Sequence, residues 1–321
     1  MSEGRMGEGR MDEGRMGEGR MGSKDWGLLV LLSLLWGAAF VLTEVGLREL
    51  PPFTVVLARV GLAALALNLF LLACGQRLPV ERRLWAAFFV MGALNNVLPF
   101  SLIVTGQVTI DAGLAAVLNA TTPLFSLMIG HFVTRTERLN WHRGLGIGLG
   151  ILGVAILTGP QALRGLGAVA LGQFLVLGAA LSYACAAVFG RRFAGRPPVV
   201  VAGGQLTAAA LLILPLTLVV DRPWTLAPGA GTWAALVSLA VFGTAAAYVI
   251  YFRVLASAGA TNLMLVTLMI PVSALALGMA LLGERPAAGD WAGAACILGG
   301  LLVIDGRGFS RRPRALRGRR P

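Results

Sequence analysis

One stretch of this chain occurs twice. Residues 112–157 form an apolar run with a proline inside it, a short polar turn and a second, glycine-rich apolar run, and residues 258–304 follow the same plan. A shift of 147 positions lays Glu137 and Arg138 on Glu284 and Arg285, Gly146 on Gly293 and Gly153 on Gly300, with Pro123 one residue away from Pro271. Five hydrophobic segments precede Pro160 and five follow it. A repeat with an odd number of membrane crossings must lie upside down relative to its twin. The plan therefore predicts two inverted five-helix units with a substrate site between them near the mid-plane, a construction used by many secondary transporters.

The membrane reading rests on composition. The chain is 57% hydrophobic and 13% charged with a mean hydropathy of +0.78, values outside those of a water-soluble domain of this length. Backbone polar groups in lipid must be satisfied within the spanning segment, so apolar runs of about 20 residues cross as helices. The short alternating segments of a closed barrel are absent. The fold class is thus an all-α integral membrane protein with ten transmembrane helices. A net charge of +12 does not make it a nucleic-acid binder, because the basic residues flank apolar runs or sit in the C-terminal tail, where seven arginines fall between Arg307 and Arg320. That distribution suits contact with the lipid bilayer and its anionic headgroups. Cys74, Cys185 and Cys296 lie in or beside apolar runs and form no disulfide framework. His131 and His142 lack metal-spaced partners, so neither a metal nor another cofactor is expected.

In chain order, residues 1–22 are a low-complexity tail of Gly, Glu, Arg and Met expected to be disordered. The spans are drawn at 26–46, 53–74, 84–105, 112–134 and 144–159 for the first repeat (26–159). The second repeat (169–304) spans 169–191, 199–220, 232–252, 261–282 and 291–304, and a basic tail occupies 305–321. Ten spans put both termini on one side. The connections on that side hold ten arginines, among them Arg82, Arg83, Arg191 and Arg192, against Arg48, Arg164, Arg222 and Arg285 on the other. This excess predicts cytoplasmic termini. The fifth and tenth spans are short and rich in glycine, which suits close helix packing or a dimer contact, leaving the chain a monomer or a homodimer.

Leu35-Trp36-Gly37-Ala38-Ala39-Phe40 in the first span, Ala58-Arg59 in the second, Thr122-Pro123-Leu124-Phe125 in the fourth and Gly283-Glu284-Arg285 after the ninth resemble the drug/metabolite transporter superfamily. Within it the chain is similar to the EamA-type ten-span exporters. The resemblance implies a secondary transporter with a central cavity that exports amino acids or other small metabolites, the aromatic amino acid exporters being one such subgroup. The chain departs from the common pattern at Tyr183, where the sixth span more often carries tryptophan, and at Gln205.

Arg59 is the one basic residue well inside a span. It admits two readings, a pocket group for a substrate carboxylate or a snorkelling or paired structural arginine with Glu44 or nearby amides as partners. Asn96, Pro99, Phe100 and Ile103 share one helical face, and Asn119, Thr122 and Ser126 share another, so two spans each offer a polar patch. These faces read as solute-lining or as interhelical hydrogen bonding. Pro123 and Pro271 read as hinges for alternating access or as static kinks. Thr244, Tyr248 and Tyr251 stack on the eighth span as Trp36 and Phe40 do on the first, an aromatic lining suited to aromatic or large neutral amino acids. Tyr183 and Gln205 occupy the places that match Trp36 and Arg59 in the second half. Glu137 and Glu284 sit in turns beside arginines and read as helix caps or ion pairs before proton carriers.

No Gly-x-Ser-x-Gly elbow and no His-Glu-x-x-His helix is present, so the chain is not expected to be an enzyme. The expected function is export of a small-molecule substrate, an amino acid or metabolite, across a bacterial inner membrane. A lipophilic-cation exporter of the same fold and a non-transporting scaffold are the alternatives.

Overall fold

A computed structural model describes residues 22–135, 139–162 and 167–305. The N-terminal Gly-Glu-Arg-Met repeat, the Glu137-Arg138 turn, Arg164 and the arginine-rich tail lie outside the described residues. The described chain is helical throughout. Its helices are α1 (Ser23–Leu47), α2 (Pro52–Ala73), α3 (Arg82–Gly106), α4 (Ala112–Phe132) and α5 (Trp141–Ala162). The second half supplies α6 (Ala168–Phe193), α7 (Pro198–Val220), α8 (Ala230–Gly259), α9 (Leu265–Leu282) and α10 (Ala288–Asp305). Nine are long and apolar enough to cross a bilayer, and the apolar part of α10, Ala288–Ile304, is slightly shorter.

Local sequence sets the helix ends. Pro52 and Pro198 sit in the first turns of α2 and α7, where the missing N–H has no intrahelical partner to lose. Helix α8 continues past the expected end at residue 252 as far as Gly259, whose φ of 78° breaks the helical path. The exposed Arg253 lies on that last stretch, with a stem long enough to keep its charge in water.

The helices pack in twinned pairs. α1 lies against α9 as α6 lies against α4, and α3 lies against α7 as α8 lies against α2. α2 meets α7, and α5 meets α10, each helix facing its own repeat mate. The α5/α10 contact is carried by the glycines that the sequence shift matches. A Cβ on Gly146 would lie 2.6 Å from the Gly300 carbonyl oxygen, and one on Gly153 would lie 2.7 Å from that of Gly293. In lipid such close backbone packing, rather than the hydrophobic effect, holds helices together. The two glycine-rich helices thus seal to each other within one chain.

Four helices depart from α geometry, α9 among them with a π turn over its last residues, Gly278–Leu282. α3 carries a π turn at Ala93–Val97 and α8 one at Val241–Ala246, at matching places in the two repeats. α4 is interrupted at Ala120 and Thr121, between Ala112–Asn119 and Thr122–Phe132. Pro123 begins the second of those segments, so it follows the break. Pro271 lies inside the continuous helix Leu265–Leu277.

Candidate functional site

The site is built on the π turns of α3 and α8, with Asn95 and Asn96 of the first reaching Tyr248 just after the second. A wide turn leaves carbonyls without their usual partners and turns extra side chains inward, which is why such bulges recur at functional sites. In α3 the Leu94 carbonyl accepts from the Ser182 hydroxyl of α6 at 2.7 Å. In α8 the Thr244 hydroxyl donates to the Leu239 carbonyl at 3.1 Å. Its oxygen is then positioned to accept from Arg59 Nε at 3.0 Å.

Arg59 is 8% exposed. Its guanidinium carbon lies 3.7 Å from the centre of the Phe100 ring, a stacking that suits the planar cation. Tyr183 and Tyr248 are within its electrostatic reach. Among the described residues no acidic side chain pairs with it, and beyond the bond to Thr244 its guanidinium makes no hydrogen bond. Glu44, a candidate structural partner from sequence, is engaged elsewhere: it accepts from the Ala112 N–H at 3.1 Å.

A polar network adjoins the arginine. Asn95 Nδ2 donates to the Tyr248 hydroxyl at 3.0 Å and to Gln205 Oε1 at 3.3 Å, and that hydroxyl donates to Asn96 Oδ1 at 3.2 Å. Asn96 is fully buried, and its Nδ2 has no partner. Leaving such a donor unmet in an apolar interior costs about 1–3 kcal/mol. Arg59, Asn96, Phe100, Tyr183, Gln205, Thr244 and Tyr248 are therefore brought together. Asn95 joins them as the hub of the network. α-Helical spacing selects Asn96 alone with Phe100, whereas the π turn swings both asparagines inward.

The other predicted residues sit around this group. Trp36 is 5.7 Å from Tyr251, which leads through Phe252 to Tyr248 at ring separations of 5.2 and 6.3 Å. Phe40 is buried in the cluster of α4, α5, α6, α9 and α10, and its carbonyl accepts from the Gln107 amide at 3.0 Å. Tyr183 packs against both that cluster and the one around α2 and α7. Asn119 and Thr122 lie at the break in α4, where the Thr122 hydroxyl donates to the Asn119 carbonyl at 2.8 Å and Asn119 Oδ1 is buried without a partner. Among the described residues neither hydrogen-bonds to the Arg59 group. Near Pro271, Ser273 ties α9 to the Ser33 carbonyl of α1 at 2.7 Å.

Glu284 is a cap, but for a helix other than its own. It accepts from the Ala112 N–H at 2.8 Å and the Gly113 N–H at 3.1 Å, the first amides of α4. Gly283 makes this possible, because its φ of 72° is a left-handed turn that glycine adopts without strain. Burial pushes the Glu284 carboxyl up to about 7, the charges of Glu44 and Asp111 adding to it against the pull of the two N–H bonds.

Known proteins carry the same architecture. A solved crystal structure, 20% identical, matches with a TM-score of 0.64 over 90% of this chain and 99% of its own, which establishes the shared fold. The chain is 29% identical to the uncharacterized inner membrane transporter YedA of Escherichia coli K12, over 87% of this chain and 89% of that protein. It is also 29% identical to a probable amino-acid metabolite efflux pump of the same organism, over 87% and 94%. The EamA-like transporter family model matches twice, over residues 26–159 and 170–305. A membrane transporter rather than an enzyme, the chain belongs to the EamA-like transporter family of the drug/metabolite transporter superfamily.

Proposed function

We propose that this transporter exports amino acids or related small metabolites, with aromatic or large neutral amino acids favoured, across the inner membrane. Its termini face the cytoplasm, in keeping with the arginine excess on their side. Substrate occupies a central space bordered by α1, α3, α4, α8 and α9, and the two halves rock to open it to each side in turn. The similarity to a metabolite efflux pump supports the substrate class.

The observation that carries the reading is Arg59. A buried cation without an acidic partner is costly in a membrane unless a ligand supplies the counter-charge. A substrate carboxylate meets that need, and the unpaired Asn96 Nδ2 is a further donor beside it. Phe100, Tyr183 and Tyr248 add aromatic surface for a ring. The same positive charge argues against a lipophilic cation as substrate.

Counterflow in proteoliposomes tests this with labelled phenylalanine, tryptophan, threonine and a lipophilic cation. The aromatic amino acids are expected to exchange, and Arg59→Gln is expected to lower their exchange roughly ten- to a hundredfold, the worth of a charged hydrogen bond. Exchange of the cation alone, or wild-type rates in the variant, overturns the assignment; an absence of all exchange by folded protein leaves a scaffold.

A further inference from the structure

We propose that Glu44 and Glu284 form a one-proton site that latches the end of the bundle opposite the termini, closed while the proton is held and loosened when it leaves. Three helices meet there. Glu44 belongs to α1, Glu284 follows α9, and both accept from the same Ala112 N–H at the start of α4, at 3.1 and 2.8 Å. The two carboxyl groups are also within hydrogen-bonding reach of each other. Two full negative charges on one donor repel, and a single proton between them removes the conflict while leaving one charge to accept the amides.

The surroundings are shaped to this carboxyl pair. A Cβ on Gly113 would lie 2.9 Å from Glu284 Oε2, and one on Gly278 would lie 2.6 Å from the Glu284 carboxyl carbon. Only glycine fits at either place without displacing the carboxyl. A cleft lined by Asp111, Leu114, Leu275, Glu284, Pro286 and Trp291 runs beside the site, so a proton reaches it from that face. The charged groups facing the pair are Asp111 before α4, Asp290 on α10 along the same cleft and Arg48 at the end of α1, with Arg285 next in the chain after Glu284. Acidic groups predominate among those nearest Glu284, and they hold the proton in place.

The sign follows from where the proton binds more tightly. Glu284 is raised to about 7 when latched, and a carboxyl swung into water returns toward its ordinary value near 4.3. The latched form is favoured in acid, weakens as pH rises between those values, and changes no further above about 7. The proton leaves to the face it came from. The device therefore gates the exit without driving transport, and it stands independently of the Arg59 site; only the side whose pH it senses depends on the orientation proposed above.

Hydrogen exchange at the Ala112 and Gly113 amides reads the latch directly, with the full chain in lipid nanodiscs and no substrate. Corrected for the intrinsic exchange rate, protection is expected to fall roughly tenfold from about pH 5.5 to about pH 8. Glu284→Gln removes the titrating group and is expected to flatten that response, and Glu44→Gln removes the neighbouring charge and is expected to shrink it. Glu44→Gln keeps both amide bonds to Glu284, so it carries the test if the other variant does not fold. The Gly229 N–H, held by Glu49 at 2.7 Å, is the internal control. Glu49 is lowered by that bond and by Thr232, so any response at Gly229 runs the opposite way. Flat protection in the wild type, or an unchanged slope in Glu44→Gln, overturns the proposal.

Discussion

The two ends of the bundle are closed by different means. Opposite the termini, helix starts are capped by carboxylates from other elements. Glu284 holds the first amides of α4, Asp221 at the end of α7 holds the Thr54 N–H of α2 at 2.6 Å and its hydroxyl at 3.0 Å, and Glu49 after α1 holds Gly229 before α8. At the end bearing the termini, polar links between helices among the described residues lie in exposed positions. Ser257 of α8 donates to Asp25 of α1 at 2.7 Å, and Arg196 meets Glu81 at 3.5 Å with side chains 45% and 54% exposed. A capped helix start satisfies backbone donors that have no other partner, whereas an exposed ion pair exchanges one solvated contact for another. The first end is thus fastened by caps, whereas the described part of the second combines exposed polar contacts with a buried aromatic cluster in which Phe88 stacks on Phe193 at 5.6 Å.

The sharpest way to break the contrast is to unfasten one cap. Glu284→Ala strands the Gly113 N–H and leaves the Ala112 N–H to Glu44 alone, and it is expected to lower stability by about 1–3 kcal/mol. Equilibrium unfolding of the protein in mixed detergent measures this, and an effect no larger than that of a surface change would place both ends on the same footing. Next in size are the glycines of the α5/α10 contact, which serves both ends alike. Gly146→Ala near one end and Gly293→Ala near the other each force a Cβ onto opposing atoms, and each is expected to cost about 1–3 kcal/mol. Unequal costs would mean that the glycine contact shares the asymmetry of the caps. Asp221→Ala follows, at about 1 kcal/mol for a lost cap, with faster exchange at the Thr54 amide as its local signature.

The repeat explains how much of this was legible beforehand. Apolar length marks membrane spans, and a shift of 147 residues picks out the four glycines of the α5/α10 contact, although they meet crosswise, Gly146 against Gly300 and Gly153 against Gly293. Span ends were less legible, because α8 runs on as helix past Arg253 to Gly259, where hydropathy has already fallen but backbone geometry has not changed. The polar group around Arg59 was visible as polar residues at membrane depth. Asn95 is legible as a polar residue at membrane depth but not as part of the lining face, since regular 3.6-residue spacing turns it away from Asn96 and Phe100 and nothing in the letters announces a π turn. Glu284 was read as a cap or a local pair beside Arg285. Its actual partners, Ala112 and Gly113, lie more than 170 residues away, and Glu44 proved to belong with it rather than with Arg59. Sequence exposes which groups need partners; tertiary structure decides which partners they get.

The smallest expected effect is also the cleanest test of the end bearing the termini. Arg196→Ala removes the exposed pair with Glu81 and is expected to change stability by about 0.5 kcal/mol or less. It should do so without altering exchange at Ala112, Thr54 or Gly229, because no hydrogen bond connects that pair to the capped helix starts. A loss comparable to that of Asp221→Ala would mean that the ion pair is coupled to something beyond its two side chains, and the two ends would then have to be treated as one mechanical unit. If the small value holds, this ion pair adds little to the end bearing the termini, where the buried cluster around Phe88 and Phe193 then carries more of the packing than the exposed charges do.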